Sequence, residues 1–294
     1  MIDISMSALA AQVFTGLVLG MIFVLLAIGL SLIFGLMTVV NFSHGAFYML
    51  GAYFGFFLLG FTKNFWLSLV IAPILVGVFG LFVERVLIRP LYGRDPLYSL
   101  LLTFGLAFMI EDGTRFIWGP QGKPVTIPAF LAQPLSNDLF FITGYRLFMV
   151  AVVMIAVALL FLLLRYTRLG IRIRAGTLDL ETVAALGINV QMLRSLNFAV
   201  GIFLAGLSGV LAAGQLGLEP TMGTGLLMPS FIAIIVGGIG SLPGTLVGGL
   251  LIGVASGLTA VFLPAASEAV IYVMMAVVLL IRPRGLFGEE GMMS

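Results

Sequence analysis

The chain has 294 residues, of which 61% are hydrophobic and 9% charged, with a formal net charge of +2. Soluble domains carry about 25% charged residues, and a water-soluble fold of this length has too little interior to hide so much apolar surface, so lipid must be its outer solvent. The absence of cysteine excludes disulfides, thiolate metal sites and cysteine nucleophiles, and a single histidine excludes a multi-histidine metal cluster.

Residues 1–7 carry Asp3 and no Lys or Arg. They lack the positive n-region of a cleaved signal peptide, and the first apolar run is expected to stay in the membrane as an uncleaved anchor. A crossing helix needs about 20 apolar residues. Between Asp3 and Lys63 there is no charged side chain and one histidine, His44, which leaves room for two crossings, over 12–39 and 46–60. A third, over 65–83, ends at a basic stretch holding Glu84, Arg85, Arg89 and Arg94. A fourth, over 97–110, is short and closes at Glu111-Asp112. The polar, Pro-rich segment 119–137 reads as an extramembrane loop with little helix.

A fifth crossing, 147–164, runs into the strongest basic cluster, Arg165, Arg168, Arg172 and Arg174, with Arg194 beyond. The sixth is 196–216. From Pro220 to Ser267 there is no charge, enough for two crossings broken at 237–244, and a last one, 269–281, stops at Arg282-Pro283-Arg284. The positive-inside rule places all three arginine clusters in the cytoplasm. The spans between them are even in number, as that requires. The fold class is therefore an all-α polytopic membrane protein with about eight or nine transmembrane helices, N-terminus outside and C-terminus inside. The segments around His44 and Gly240 are the places for a broken or re-entrant helix. Glycines such as Gly201, Gly206 and Gly209, or Gly244, Gly248 and Gly253, suit close helix approach in lipid.

Three places stand out. In Asn41-Phe42-Ser43-His44-Gly45, polar groups fall together between two apolar runs beside a helix-breaking glycine. Half-helix ends of this kind build substrate and gate sites in transporters, and Asn41, Ser43, His44 and Gly45 are candidate pathway residues. The competing reading is a short cytoplasmic turn in which Asn41 or Ser43 caps the next helix. The second place is the cytoplasmic segment 176–194. Thr177 and Asp179 suit an N-cap, Glu181 the first turn and Gly187 the C-terminal stop, around a short helix with Ala184, Ala185 and Leu186. Two turns alone in water are unstable, so the helix must dock, on a partner or along its own membrane domain. The third is the break at 237–244 with Gly240 and Ser241, either a second pathway element in a faint internal repeat or a tight loop.

No Gly-x₄-Gly-Lys-Ser/Thr phosphate loop is present; Lys123 follows Gly122, but Pro124 stands where Ser or Thr is needed. Apart from Glu111-Asp112 and Glu268, acids lie in loops or tails, which disfavours a proton-coupled carrier. An intramembrane enzyme would need a dyad, and His44 has no evident partner beyond Ser43.

Several segments, in this order and spacing, resemble the branched-chain amino acid permease family of bacterial ABC importers, specifically the LivH-type subunit, over nearly the whole chain. They are Asn41-Phe42-Ser43-His44-Gly45 leading into Tyr48-Met49-Leu50-Gly51-Ala52-Tyr53, Arg89-Pro90-Leu91-Tyr92, Ala184-Ala185-Leu186-Gly187-Ile188-Asn189, Gly237-Gly238-Ile239-Gly240-Ser241-Leu242-Pro243-Gly244, and Arg282-Pro283-Arg284-Gly285-Leu286-Phe287-Gly288. The resemblance implies that 1–294 is a single permease domain of the inner membrane, with a periplasmic loop at about 112–145 and a cytoplasmic coupling segment at about 165–194. It implies a second, LivM-like permease, two cytoplasmic ATPases, which would use ATP and Mg, and a periplasmic substrate-binding protein. This chain itself would hold no cofactor and bind no nucleic acid. Asp179, Glu181, Ala184, Ala185, Leu186 and Gly187 would form the coupling helix that switches outward and inward access. The implied substrates are leucine, isoleucine and valine; relatives of similar sequence are associated with urea, short amides or other small organic solutes.

Overall fold

The computed structural model of this protein describes residues 6–137 and 140–288. Helices α1 (Met6–Met37), α2 (His44–Thr62) and α3 (Phe65–Val83) follow one another, and α3 runs on through a π turn, Glu84–Ile88, and a 3-10 turn, Arg89–Leu91. After α4 (Pro96–Trp118), the chain leaves the long helices for α5 (Ala129–Ala132) and an antiparallel pair, β1 (Pro134–Asn137) and β2 (Phe140–Thr143), with Pro134 opposite Thr143. Then come α6 (Gly144–Tyr166), α7 (Arg168–Leu178), α8 (Leu180–Ala185), α9 (Val190–Leu216), α10 (Met222–Gly237), α11 (Leu242–Phe262) and α12 (Ala269–Ile281).

Each of the nine apolar runs falls on a helix. Six of these helices, α1, α2, α3, α6, α9 and α11, are long and apolar enough to cross a membrane; α10 and α12 are apolar but shorter. Two expectations need correction. The fourth helix does not close at Glu111-Asp112 but continues to Trp118, because Arg115, one turn on, pairs with Glu111 at 2.5 Å and with Asp112 at 3.2 Å. Arg115 offsets one of the two charges and Asp112 stays exposed, so the helix continues and the following loop begins at 119 rather than at the 112 that the resemblance implied. That loop also carries a two-stranded ribbon inside an otherwise helical chain. It is tied to the segment after α9 by a bridge between Lys123 and Leu218.

Local chemistry sets the helix starts. Asn64 accepts from the Trp66 and Leu67 amides at 3.0 and 3.2 Å, and Asp95 from Leu97 at 2.9 Å with Pro96 in the first turn. Both side chains satisfy amides that the helix leaves unpaired. Asn64→Ala is expected to cost about 1 kcal/mol, read as a lower thermal midpoint of the detergent-solubilised protein.

Helix α1 is apolar all round, the pattern of a central helix, and residues 20–33 are buried on every face. Its neighbours are α9, α10 and α11. Three of its carbonyls accept bonds from buried side chains of other helices: Ile22 from Ser208 at 3.2 Å, Leu26 from His44 at 3.1 Å and Leu32 from Asn197 at 2.7 Å. Interhelical bonds of this type contribute roughly 0.6 kcal/mol each in membranes. The α1–α11 contact is made through Gly16, Gly20, Gly249 and Gly253, where any Cβ would meet the facing backbone.

The basic clusters gather at one end. Leu36 and Gly35 of α1 meet Gly176 and Thr177 of α7 there, and the residues after α3 meet the start of α9. The opposite end holds Trp118 against Tyr53, with ring centroids 5.3 Å apart, and Tyr145 donating to the Leu211 carbonyl. By the positive-inside rule the first end is cytoplasmic.

Candidate translocation site and coupling segment

The stretch between α1 and α2 is not a surface turn. Asn41, Ser43 and His44 are each 0% exposed. His44 Nε2 donates to the carbonyl of Leu26, eleven residues before the end of α1, about 16 Å back along the helix at 1.5 Å per residue. Residues 38–43 therefore fold back inside the protein and α2 starts there, which makes it the broken helix anticipated near His44. Asn41 rather than Ser43 holds the turn: its Oδ1 accepts from the Ser43 amide at 3.1 Å and the Ser43 hydroxyl at 2.6 Å. Thr103 of α4 ties the segment from outside, accepting from the Phe42 amide at 3.2 Å and donating to Val40 at 3.3 Å.

A second long helix repeats the arrangement. After α9, residues 217–221 are non-helical and α10 begins at Met222. The first turns of α2 and α10 meet through Gly45 and Gly223, so closely that a Cβ on either would overlap the other's carbonyl. The structural counterpart of the break at His44 is thus 217–221, not the break at 237–244 that the sequence pattern suggested.

A cleft of ≈ 20 Å³ opens where these two helix starts meet α4. Phe42, Met49, Ala107 and Leu227 make its apolar wall, Gly45 and Gly223 its backbone floor, and Glu111, 8% exposed, its charged member. Half-helix N-termini carry partial positive charge, so the cleft offers positive backbone ends, one carboxylate and an apolar wall together. Of the residues singled out in the sequence, Gly45 lines this cleft. His44 points the other way, into α1, and Asn41 and Ser43 bond each other.

Gly240 and Ser241 lie elsewhere. Ser241 accepts from the Gly244 amide at 3.1 Å and caps α11. Gly238 and Gly240 take φ of +108° and +85°, a region that favours glycine. The C-terminal stretch closes over this loop, with the Leu286 and Phe287 amides donating to Val236 and Gly237 at 2.9 Å. Gly240 also borders a small cleft with Ser31, Gly35 and Thr177. The geometry is that of a tight, covered loop.

The segment expected to act in coupling folds as its caps dictate. Asp179 accepts from the Glu181 and Thr182 amides, each at 3.0 Å, and from the Thr182 hydroxyl. Gly187, at φ +80°, ends the turn, and Asn189 caps α9 by accepting from Met192 at 2.9 Å. Thr177 caps nothing; its hydroxyl bonds Arg174. Val183 of α8 is buried, whereas Glu181, Ala184, Ala185 and Leu186 face outward. Leu178 and Leu186 are 81% and 75% exposed. Helix α7, which carries Arg168, Arg172 and Arg174, was legible in sequence only as a basic run. Also missed was Glu84, a fully buried carboxylate amid arginines; its lone acidic charge in that stretch was the available signal.

A family model described as branched-chain amino acid transport system, permease component, matches residues 12–279. The chain is 30% identical to the high-affinity branched-chain amino acid transport system permease protein LivH of Escherichia coli K12, over 95% of each chain. It is 32% identical to the permease protein BraD of Pseudomonas aeruginosa, also over 95% of each. Among solved structures, PsaBC from Streptococcus pneumoniae in complex with Fab is similar with a TM-score of 0.50, covering 91% of this chain and 89% of that one. At 12% identity, this likeness concerns the fold alone.

Proposed function

We propose that this chain, which belongs to the branched-chain amino acid transport permease family, is one of two permease subunits that carry leucine, isoleucine and valine inward across the inner membrane at the expense of ATP. The observation that carries the ATP-driven part is α8: a capped helix too short to be stable alone, displaying Glu181, Ala184, Ala185 and Leu186 to the cytoplasm. It suits insertion into a groove of an ATPase subunit, which would bind ATP and Mg. A periplasmic binding protein would deliver the substrate, and closure of two ATPases would move α8 and switch access.

The substrate reading follows the names of the relatives and has support in the cleft between α2, α4 and α10. Two helix starts would attract an α-carboxylate. Glu111 would receive the ammonium group, and Phe42, Met49, Ala107 and Leu227 would face a branched side chain. At ≈ 20 Å³ the cleft has room for about one water. This is a closed state, in which the Gly45–Gly223 contact would be the point that parts.

The test is to tag the chain in its host, extract it in mild detergent, identify what co-purifies, and measure uptake after reconstitution. A second permease and ATPases, with leucine uptake that needs ATP, are expected. Recovery of the chain alone, with uptake driven by an ion gradient, would replace the importer by a secondary carrier.

A further inference from the structure

The cytoplasmic end of α3 holds a polar joint that substrate passage does not explain. Glu84 is 0% exposed. Its carboxylate accepts from Arg89 Nε and Nη2 at 3.4 and 3.2 Å, from the Tyr92 hydroxyl at 2.8 Å, and from the Ser195 hydroxyl of α9 at 2.5 Å. Arg89 Nη2 donates to Ser195 Oγ as well. The Arg194 guanidinium, also on α9, lies 4.4 Å from the Tyr92 ring centroid.

The backbone explains how Glu84 and Arg89 meet. In an α-helix, residues five apart point in different directions. Here the chain makes a π turn, with the Arg89 amide donating to the Glu84 carbonyl, and residues five apart align. Such turns are uncommon and cluster at functional sites. A buried carboxylate is costly unless fully bonded, and a buried ion pair is weak evidence for stability alone. A rigid joint between two elements is a role that fits this expense.

The two elements are informative. Only four residues separate α8 from α9, and Arg194 and Ser195 stand in the second turn of α9. Any displacement of α8 reaches Ser195 before the rest of α9. Through Glu84 it reaches α3, which packs along α2, the helix whose first turns border the cleft.

We propose that Glu84, Arg89 and Ser195 form a strut that makes the start of α9 and the end of α3 move as one body, so that Glu84 is a positioning residue for coupled transport. The proposal rests on the importer reading of α8. The joint has two grades of lesion. Ser195→Ala removes the hydrogen-bonded link to α9 and leaves the Glu84–Arg89 pair and the Arg194–Tyr92 contact, so the fold is spared; Glu84→Gln weakens the whole network.

Both variants are to be tested in the complete reconstituted importer, with uptake measured per ATP hydrolysed. The expected result is ATP hydrolysis retained and uptake per ATP reduced about fivefold or more, within the usual range of coupling between sites. Because the chain has no cysteine, Val86→Cys and Met192→Cys can carry spin labels reporting the α3–α9 distance. That distance should be the same without and with ATP in the otherwise wild-type chain, and should differ between the two states in Ser195→Ala. Unchanged uptake per ATP in both variants, or uptake and hydrolysis falling in proportion to assembled complex, would overturn the strut and leave the importer standing. If Glu84→Gln fails to assemble, Ser195→Ala and the label distance decide between the same two results. Uptake by the wild-type complex that needs no ATP would overturn the importer reading, and the strut with it.

Discussion

Ala185→Arg is expected to reduce ATP-coupled uptake by between about 5- and 150-fold while the chain still folds and inserts. Ala185 is exposed on α8, and surface changes away from caps and buried groups shift stability by only about 0.5 kcal/mol. The damage should therefore fall on docking. A small residue lets a partner groove close on the helix backbone; arginine puts a long, charged side chain into that contact. Co-purification of the ATPases, hydrolysis rate and uptake in proteoliposomes separate the possibilities. Normal uptake would remove α8 from the coupling role. The helix itself is secure at neutral pH. The Thr182 hydroxyl and then its amide hold the Asp179 carboxyl below its usual value, so the cap is present above the ordinary carboxylate range and disappears only as pH falls through the lowered one.

Ala107→Phe is expected to lower uptake by at least about tenfold with the partner subunits still bound, an effect of roughly 1.4 kcal/mol or more on the transport barrier. Ala107 borders the cleft, which at ≈ 20 Å³ has no room for a ring, and the substitution touches none of the α1 bonds that hold the core. Met109→Phe is the control, since Met109 is 74% exposed on the same helix. Wild-type uptake by Ala107→Phe would move the pathway away from the α2–α10 junction. His44→Ala is expected to act differently. It deletes the bond to Leu26 inside a packed core, so its first effect should be a lower yield of folded protein rather than blocked passage.

The comparison of sequence with structure divides by range. The nine apolar runs, their approximate ends and the basic clusters were legible because hydropathy and charge act locally, through the thickness of the bilayer. The α8 segment was legible for the same reason: Asp179 and Gly187 act on amides and dihedrals within three residues of themselves. Where the local rule failed, a neighbouring turn had changed the chemistry. Glu111 and Asp112 looked like a helix end because each is costly in lipid, and Arg115, four and three residues on, offsets one of the two charges while Asp112 stays exposed.

By itself the sequence determined the solvent of this protein, its helical class and the place of the short capped helix α8. Only the tertiary structure decided that α2 starts inside the protein, that its first turn meets α10 through Gly45 and Gly223, and that Glu84 is buried against Ser195. These are pairings between residues tens to more than a hundred positions apart. Helix periodicity says that a residue has a buried side but not which helix covers it, and in lipid the choice of neighbour depends on close backbone packing and matched polar groups rather than on hydrophobic burial.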